Sequence, residues 1–429
     1  MAAMNIETSE LTRYHDAIQY LDGLNRTMTS PDYMRDQSQP SVFLERTRSL
    51  LDALGNPEKG FKYIHITGTS GKGTVATMTH EALVASGKRV GLFTSPYVVA
   101  ATEKIRVNDL YIAPDEFASI LEEIKPHIEH ARGTHGRPTY FEVFFAIALV
   151  YFQRQQCEWV VLEVGAGGRY DATNVIESPL VTAITNIDYD HVQILGNTLT
   201  SIAENKAGII KKDSAFFTTE KRLALLKLFE KECVEKGATF TPLAVVSDYQ
   251  ENNKTLVRAI CRHIGLAESD IRVGEEARLP GRFETMQEQP RVVLDGAHNR
   301  AKMKSCASNV KKLSFKKLHL IFALKDDKNI ASVAREILPL ADTATFTVFQ
   351  NTTVHCVLPQ VLKDATTALV QKSARVQIIT DAKAALTDVL KYAAKDDLVL
   401  VTGSFYLVGE LRRVWYSEEW VVENRRSFK

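Results

Sequence analysis

Residues 64–74 read Ile64-His65-Ile66-Thr67-Gly68-Thr69-Ser70-Gly71-Lys72-Gly73-Thr74. Ile64, Ile66 and the neighbouring Tyr63 predict a short buried strand. Gly68, Gly71 and Gly73 predict a tight turn of positive φ, and Thr74 predicts the start of a helix. Strand, glycine turn and helix N-terminus together make a phosphate cradle. Successive backbone N–H groups face an anion, Lys72 adds a full positive charge, and the Thr74 hydroxyl is placed to ligate Mg²⁺. The Walker A spacing GxxxxGK[ST] is not met, because Ile66 stands where its first glycine belongs and Gly73 separates Lys72 from Thr74. The loop is a shorter variant, GTxGKG[ST]. A glycine-rich turn with a solvated lysine is the bland alternative.

The chain has 429 residues, beyond the size at which single cores stop growing, so two or three domains are expected. Its 53 basic and 52 acidic residues leave no global field to recruit nucleic acid or an anionic membrane, so any phosphate must be attracted locally. Cys157, Cys233, Cys261, Cys306 and Cys356 stand far apart without a CxxC or CxxH pair, which argues against a zinc site or disulfide framework. The start MAAMNIETSE is not a secretory signal, and no run reaches the roughly 18 apolar residues of a membrane span. A cytoplasmic location is expected, with no nucleic-acid or membrane partner.

Along the chain, residues 9–22 and 41–54 are spaced as helices, with a polar, turn-rich loop between Thr29 and Pro40. A helix follows the glycine loop and ends at Gly87; 89–94 is the next strand, with Ser95 at its exit, and the run after it reads as polar and irregular. Helices are expected at 115–130 and 140–153, separated by a loop at 133–139. EWVVLEVG (158–165) is a buried strand carrying Glu163 near its end, and there the choice lies between a Mg²⁺ ligand and a strand-end acid reaching solvent. LVTAITNID (180–188) repeats the pattern and is followed by Asp190 and His191. On chemistry alone His191 reads as structural, since imidazole is an uncommon Mg²⁺ ligand, and Lys206 on the next helix reads as solvated. Strand 216–219 and helices 221–236 and 250–263 complete this half. The Pro/Gly-rich, charged stretch 274–291 reads as linker, and beyond it β and α segments alternate to the end, implying a second parallel sheet covered on both faces.

Several motifs in order resemble the folylpolyglutamate synthase and dihydrofolate synthase family of the Mur ligase superfamily. They are GTSGKGT (68–74), TSPY (94–97), EKIRVND (103–109), EVGAGGRYDATN (163–174), DH with LG at 190–196, NKAGI (205–209), YQENNK (249–254), PGRFE (280–284), DGAHNR (295–300) and TGS with YLVGE (402–410). The resemblance implies an α/β protein with two domains. A P-loop NTPase-like domain with a mostly parallel sheet and a helical preamble is expected over residues 1–283, and a smaller Rossmann-like domain over 284–429.

By the same resemblance the protein is an ATP-dependent ligase that adds L-glutamate to a folate through an acyl phosphate, with ATP and two Mg²⁺ ions, and acts as a monomer. Thr74, Ser95, Glu163 and His191 are then metal ligands. Lys72, His191 and Lys206 are catalytic, with Lys206 matching a lysine that is carbamylated in the family. Gly68, Thr69, Ser70, Gly71, Lys72, Gly73, Thr74, Asn253, Arg282, Asp295 and His298 are nucleotide contacts. Departures fall at Ser70, Tyr97, Ala166, Tyr170 and Arg300, and no IDLGL-like element stands before the helix in MRDQSQPSVFLER (34–46), which ranks folate polyglutamylation above dihydropteroate ligation. The rival readings are a Mur-type ligase acting on a non-folate carboxylate and a regulatory ATPase without ligase activity.

Overall fold

A computed structural model describes residues 8–26, 41–351, 354–371 and 374–428; the loop expected between Thr29 and Pro40 lies outside them. Two compact units emerge. The first comprises residues 1–97, 101–277 and 422–426, the second 98–100, 278–421 and 427–429. The principal division, at Ala277 and Arg278, falls inside the stretch 274–291 and six residues before the boundary expected at 283.

In the first unit α1 (Thr8–Arg26) and α2 (Ser41–Ala53) precede β1 (Lys62–Thr67), α3 (Lys72–Ala85) and β2 (Val90–Phe93). A short hairpin, β3 (Ile105–Val107) and β4 (Leu110–Tyr111), leads to α4 (Pro114–His135), α5 (Tyr140–Arg154) and β5 (Trp159–Glu163). Then come β6 (Val181–Ile184), α6 (Val192–Leu195), α7 (Leu199–Ala207), β7 (Ala215–Thr218), α8 (Leu223–Lys236), β8 (Thr239–Pro242), α9 (Tyr249–His263) and α10 (Glu268–Glu275). Among the described residues these strands form one eight-stranded sheet in the order β4-β3-β2-β5-β1-β6-β7-β8. All neighbours are parallel except at the β2-β3-β4 edge.

The central strands are buried along their whole length, which is why they read as continuous apolar runs rather than as alternation. α3, α9 and α10 close one face around Ile64, Ile66, Val75, Leu83, Leu256 and Ile260. Gly274 of α10 lies so close to the Met78 carbonyl of α3 that a side chain there would collide with backbone. α5 is an interior helix: it starts at a capping box in which Thr139 and Glu142 satisfy each other's backbone N–H groups, and its aromatic and aliphatic residues are buried nearly all round. Burial of each large apolar side chain there contributes roughly 1.5–3 kcal/mol. Glu142 also holds Arg46 of α2 in a buried two-point pair, at 2.7 Å to Nε and 2.6 Å to Nη2.

The second unit begins with β9 (Glu284–Glu288) and β10 (Arg291–Asp295), followed by α11 (Arg300–Val310), β11 (Leu318–Phe322), α12 (Ile330–Ile337) and β12 (Thr343–Phe346). α13 (Pro359–Thr366), β13 (Arg375–Ile378), α14 (Ala382–Tyr392), β14 (Leu398–Thr402), α15 (Phe405–Arg412) and α16 (Glu418–Asn424) end the chain. Its sheet runs β13-β12-β11-β14-β10-β9, parallel apart from the β9 edge, with two apolar layers on its faces.

Several local expectations are corrected. The helix after the glycine loop starts at Lys72 rather than Thr74, and Gly73 has no positive φ. α4 continues through His135, into the expected 133–139 loop. The run after Ser95, read as irregular, contains the β3–β4 hairpin, and β8, α10 and β9 arise where polar sequence predicted loop or linker. Those edge strands and that short helix bury only part of a face, so their apolar signal is weak.

Candidate functional site

The phosphate loop sits where β1 ends between β5 and β6, with Ile66 in register with Glu163 on one side and Ala183 on the other. Two glycines are forced. Gly68 has φ 149° and lies against the Thr185 side chain, while Gly71 has φ 85° and lies against the Tyr249 hydroxyl and the Asn253 amide of α9. Gly73 is needed for a different reason: a Cβ there would stand 3.1 Å from Glu163 Oε2.

The far wall of the loop is the exit of β6. Asn186 accepts from the Ser70 N–H through Oδ1 and from the Thr69 N–H through its carbonyl, both at 2.9 Å. The Thr69 hydroxyl donates to the Asp188 carbonyl at 3.0 Å and accepts from the Asp188 N–H at 2.9 Å, and the Thr185 hydroxyl donates to the Ser70 carbonyl at 2.6 Å. These bonds fix the backbone of Thr69 and Ser70 against the β6 exit. Ser70 Oγ is buried without a protein partner, a group that an incoming phosphate oxygen would satisfy.

Lys72 and the buried Lys206 of α7 both direct Nζ at the Gly68 carbonyl, at 3.1 and 3.0 Å. Lys72 thus brings positive charge to the loop without a global charge excess. Opposite them the buried Glu163 carboxylate accepts from the Ser95 N–H at 2.9 Å, and Thr74 lies on the first turn of α3. Carboxylate and hydroxyl oxygens are a donor set of the hard kind Mg²⁺ takes. Among the described residues no group of three or more His, Cys, Asp and Glu could hold a metal.

His191 occupies a left-handed position, φ 49°, at the start of α6, three residues beyond Asp188. Its side chain is 46% exposed and its Nε2 lies 4.0 Å from Asp190 Oδ2. The glycine-rich exit of β5 is organised by Asp171, which accepts from Ala166 N at 2.9 Å, Thr173 N at 3.0 Å and the Thr173 hydroxyl at 2.6 Å. That hydroxyl has given its proton to Asp171, so His65 Nε2, 2.8 Å away, is the donor to it. Burial, with Lys211 nearby, lowers the His65 pKa to about 3, leaving it a neutral strut beneath the loop.

In the second unit Asp295 ends β10 and fixes the adjoining backbone, accepting from Phe283 N and Ala297 N at 2.9 Å each. Burial raises its pKa, opposed by the charge of Arg282. The Arg282 guanidinium lies 3.8 Å from the centroid of the Phe405 ring. His298 Nδ1 donates to the Gly296 carbonyl at 2.9 Å, which leaves Nε2 to accept from Lys302 Nζ at 3.1 Å. Arg282, Asp295 and His298 thus form one cluster within this unit. Phe405, which aligns two of them, carries no motif signal of its own.

One charged group near Ser95, in the EKIRVND motif, carries no role in the sequence reading. Lys104 is buried, its Nζ 4.3 and 4.2 Å from the Tyr140 and Phe144 ring centroids, 5.7 Å from that of Tyr97 and 3.2 Å from the Tyr140 hydroxyl. Burial lowers its pKa to about 7, opposed by Asp22. The unfolded lysine titrates near ~10.4, so between those values the unfolded chain binds the extra proton. Stability is therefore expected to rise with pH from about 7 towards the unfolded value. Urea midpoints at neutral and alkaline pH should differ more for wild type than for Lys104→Met, and equal slopes would refute the assignment.

Two family descriptions match the chain: the Mur ligase middle domain over residues 66–240 and the Mur ligase glutamate ligase domain over 281–405. The dihydrofolate synthase/folylpolyglutamate synthase of Bacillus subtilis is 29% identical over 448 aligned positions, covering 94% of this chain and 99% of the relative. The chain belongs to the folylpolyglutamate synthase and dihydrofolate synthase family of Mur ligases. As a member it is an ATP-dependent ligase with two α/β domains. The Mycobacterium tuberculosis folylpolyglutamate synthase complexed with ADP superposes with a TM-score of 0.84 at 25% identity, covering 95% of this chain and 99% of that one. The bifunctional enzyme of Yersinia pestis, complexed with AMPPNP and Mn ion, gives 0.80 at 26% identity, covering 93% and 97%. Among the described residues no helix is long and apolar enough to cross a membrane, and all five cysteines are free thiols.

Proposed function

We propose that this family member adds L-glutamate to a folate, with polyglutamylation of a reduced folate ranked above ligation of dihydropteroate. The observation that carries the reading is the phosphate cradle with two lysines on the Gly68 carbonyl and the Glu163 carboxylate opposite. A carboxylate of the folate attacks the γ-phosphorus of ATP, ADP leaves, and an acyl phosphate forms. The glutamate amine then attacks the acyl carbon, losing a proton as inorganic phosphate departs and the amide forms. No side-chain nucleophile is needed, since alignment and charge neutralisation carry both steps.

Loop residues Gly68, Thr69, Ser70, Gly71 and Gly73 are assigned to the phosphates, with the Ser70 hydroxyl as the side-chain donor, and Lys72 offsets the charge that builds on the transferred group. Thr74, Ser95, Glu163 and His191 are the residues that would hold Mg²⁺, which supplies further charge neutralisation when bound. Asn253 and, from the second unit, Arg282, Asp295 and His298 are assigned to the nucleotide. Lys206 is assigned to the metal site as a carbamate, formed when its neutral amine adds CO₂ and releases a proton. The protein is read as a cytoplasmic monomer.

Mass spectrometry after incubation with MgATP, glutamate and either a reduced folate or dihydropteroate tests the function. A mass gain of one or more glutamyl residues on the reduced folate is expected. Product from neither acceptor would sink the folate reading.

A further inference from the structure

The turn that walls the phosphate loop is itself held from behind by two residues at the exit of β7. Glu220 is buried. Its Oε2 accepts from the Ile187 N–H at 3.1 Å and from Arg222 Nη2 at 2.6 Å. Its Oε1 accepts from Lys221 N and Arg222 N, each at 2.9 Å, and from Arg222 Nε at 2.8 Å. Arg222 Nη2 also donates to the Ile187 carbonyl, so the pair grips both backbone polar groups of Ile187. Thr219 donates to the Thr185 carbonyl two residues earlier.

Burial alone would raise the Glu220 pKa, yet its bonds to Arg222 outweigh that and hold the carboxylate below its ordinary value. Ion and peptide therefore lock together at neutral pH. The gripped segment, 185–188, contributes each of the bonds from Thr185, Asn186 and Asp188 that fix Thr69 and Ser70, and it runs on into His191. Charge-assisted bonds of this kind are roughly twice as strong as neutral ones, and a loop of backbone donors works only when its geometry is fixed beforehand.

We propose that Glu220 and Arg222 are positioning residues for nucleotide binding, acting through the 185–188 turn on the phosphate loop. The inference rests on the nucleotide-binding reading of that loop. Calorimetric titration with MgADP and melting curves on the whole protein test it. Glu220→Ala and Arg222→Ala are each expected to weaken MgADP binding roughly tenfold, the order of one charge-assisted hydrogen bond. The double variant should be little worse than either single one, because both changes release the same residue, Ile187. Glu220→Gln, which keeps the length and one acceptor, should recover part of the loss. In turnover, KM for ATP should rise while KM for glutamate stays unchanged.

Phe229→Leu, which loosens the core against Phe216 of β7, is the control: its melting temperature falls while its MgADP affinity stays at the wild-type value. Wild-type affinity in folded Glu220→Ala and Arg222→Ala would overturn the positioning role alone. A wild-type protein that binds no MgADP would overturn the nucleotide reading and this role with it.

Discussion

Lys72→Met is expected to lower the turnover of glutamate ligation on the order of 10³-fold while leaving the melting temperature nearly unchanged. The two halves of that expectation have separate causes. Turnover falls because the lysine supplies a full charge where negative charge moves during phosphoryl transfer, in a loop whose other donors are neutral amides. Stability holds because, among the described residues, the hydrogen bond Lys72 makes is to the Gly68 carbonyl, at 3.1 Å, and Lys206 donates to the same oxygen at 3.0 Å. Removing one lysine therefore leaves no orphaned acceptor. Steady-state phosphate release with saturating glutamate and folate, beside a thermal melt, reads both. A loss of less than about tenfold would remove Lys72 from the transferring group.

The cradle was legible in sequence because glycine, lysine and hydroxyl residues at fixed spacing have few other uses, and the buried strands were legible because continuous apolar runs of that length fit a covered parallel sheet. Even there the physical reason needed the structure: Gly73 is required by the approach of Glu163, a residue ninety positions later, and not by its own backbone angle. The motifs also carried Asp171, Asn253 and Asp295, although only the coordinates show what each fixes. What stayed hidden were contacts distant in sequence whose residue types are ordinary. Glu220 and Lys104 look like surface charges on paper, and only burial reveals that each must be held by something; Arg222 stays partly exposed, and only its contacts with Glu220 and Ile187 show what it does. The β3–β4 hairpin and β9 were missed because edge strands show water one side and so lack the apolar density of central strands.

Arg412→Ala is expected to destabilise the second unit by about 3–5 kcal/mol, the cost of leaving a buried ionic partner uncompensated. Arg412 is fully buried, and its Nε and Nη2 meet both Glu284 oxygens at 2.9–3.0 Å. Nη2 also donates to the Ser427 carbonyl, and the guanidinium lies 4.4 Å from the Tyr416 ring centroid. Truncation removes all of these and strands the Glu284 carboxylate, which retains the Gly281 N–H at 2.7 Å. Glu284→Ala should cost a similar amount by stranding the guanidinium instead. The double change Arg412→Met with Glu284→Leu should cost less than the two alanine variants summed, since apolar groups of like volume need no counter-charge. Trp415 and Trp420 belong to this unit, Trp415 N donating to the Arg412 carbonyl at 3.0 Å, and Trp159 to the first, so in a Trp159→Phe background tryptophan fluorescence in a urea titration follows this unit. Single variants that lose less than about 1 kcal/mol would place the pair among ion pairs of surface strength. The consequence extends to function, because the Glu284 carboxylate that Arg412 anchors is the group that holds Gly281, the residue immediately before Arg282. A loosened Gly281 turn should therefore raise KM for ATP in Arg412→Ala at temperatures where the variant is still folded.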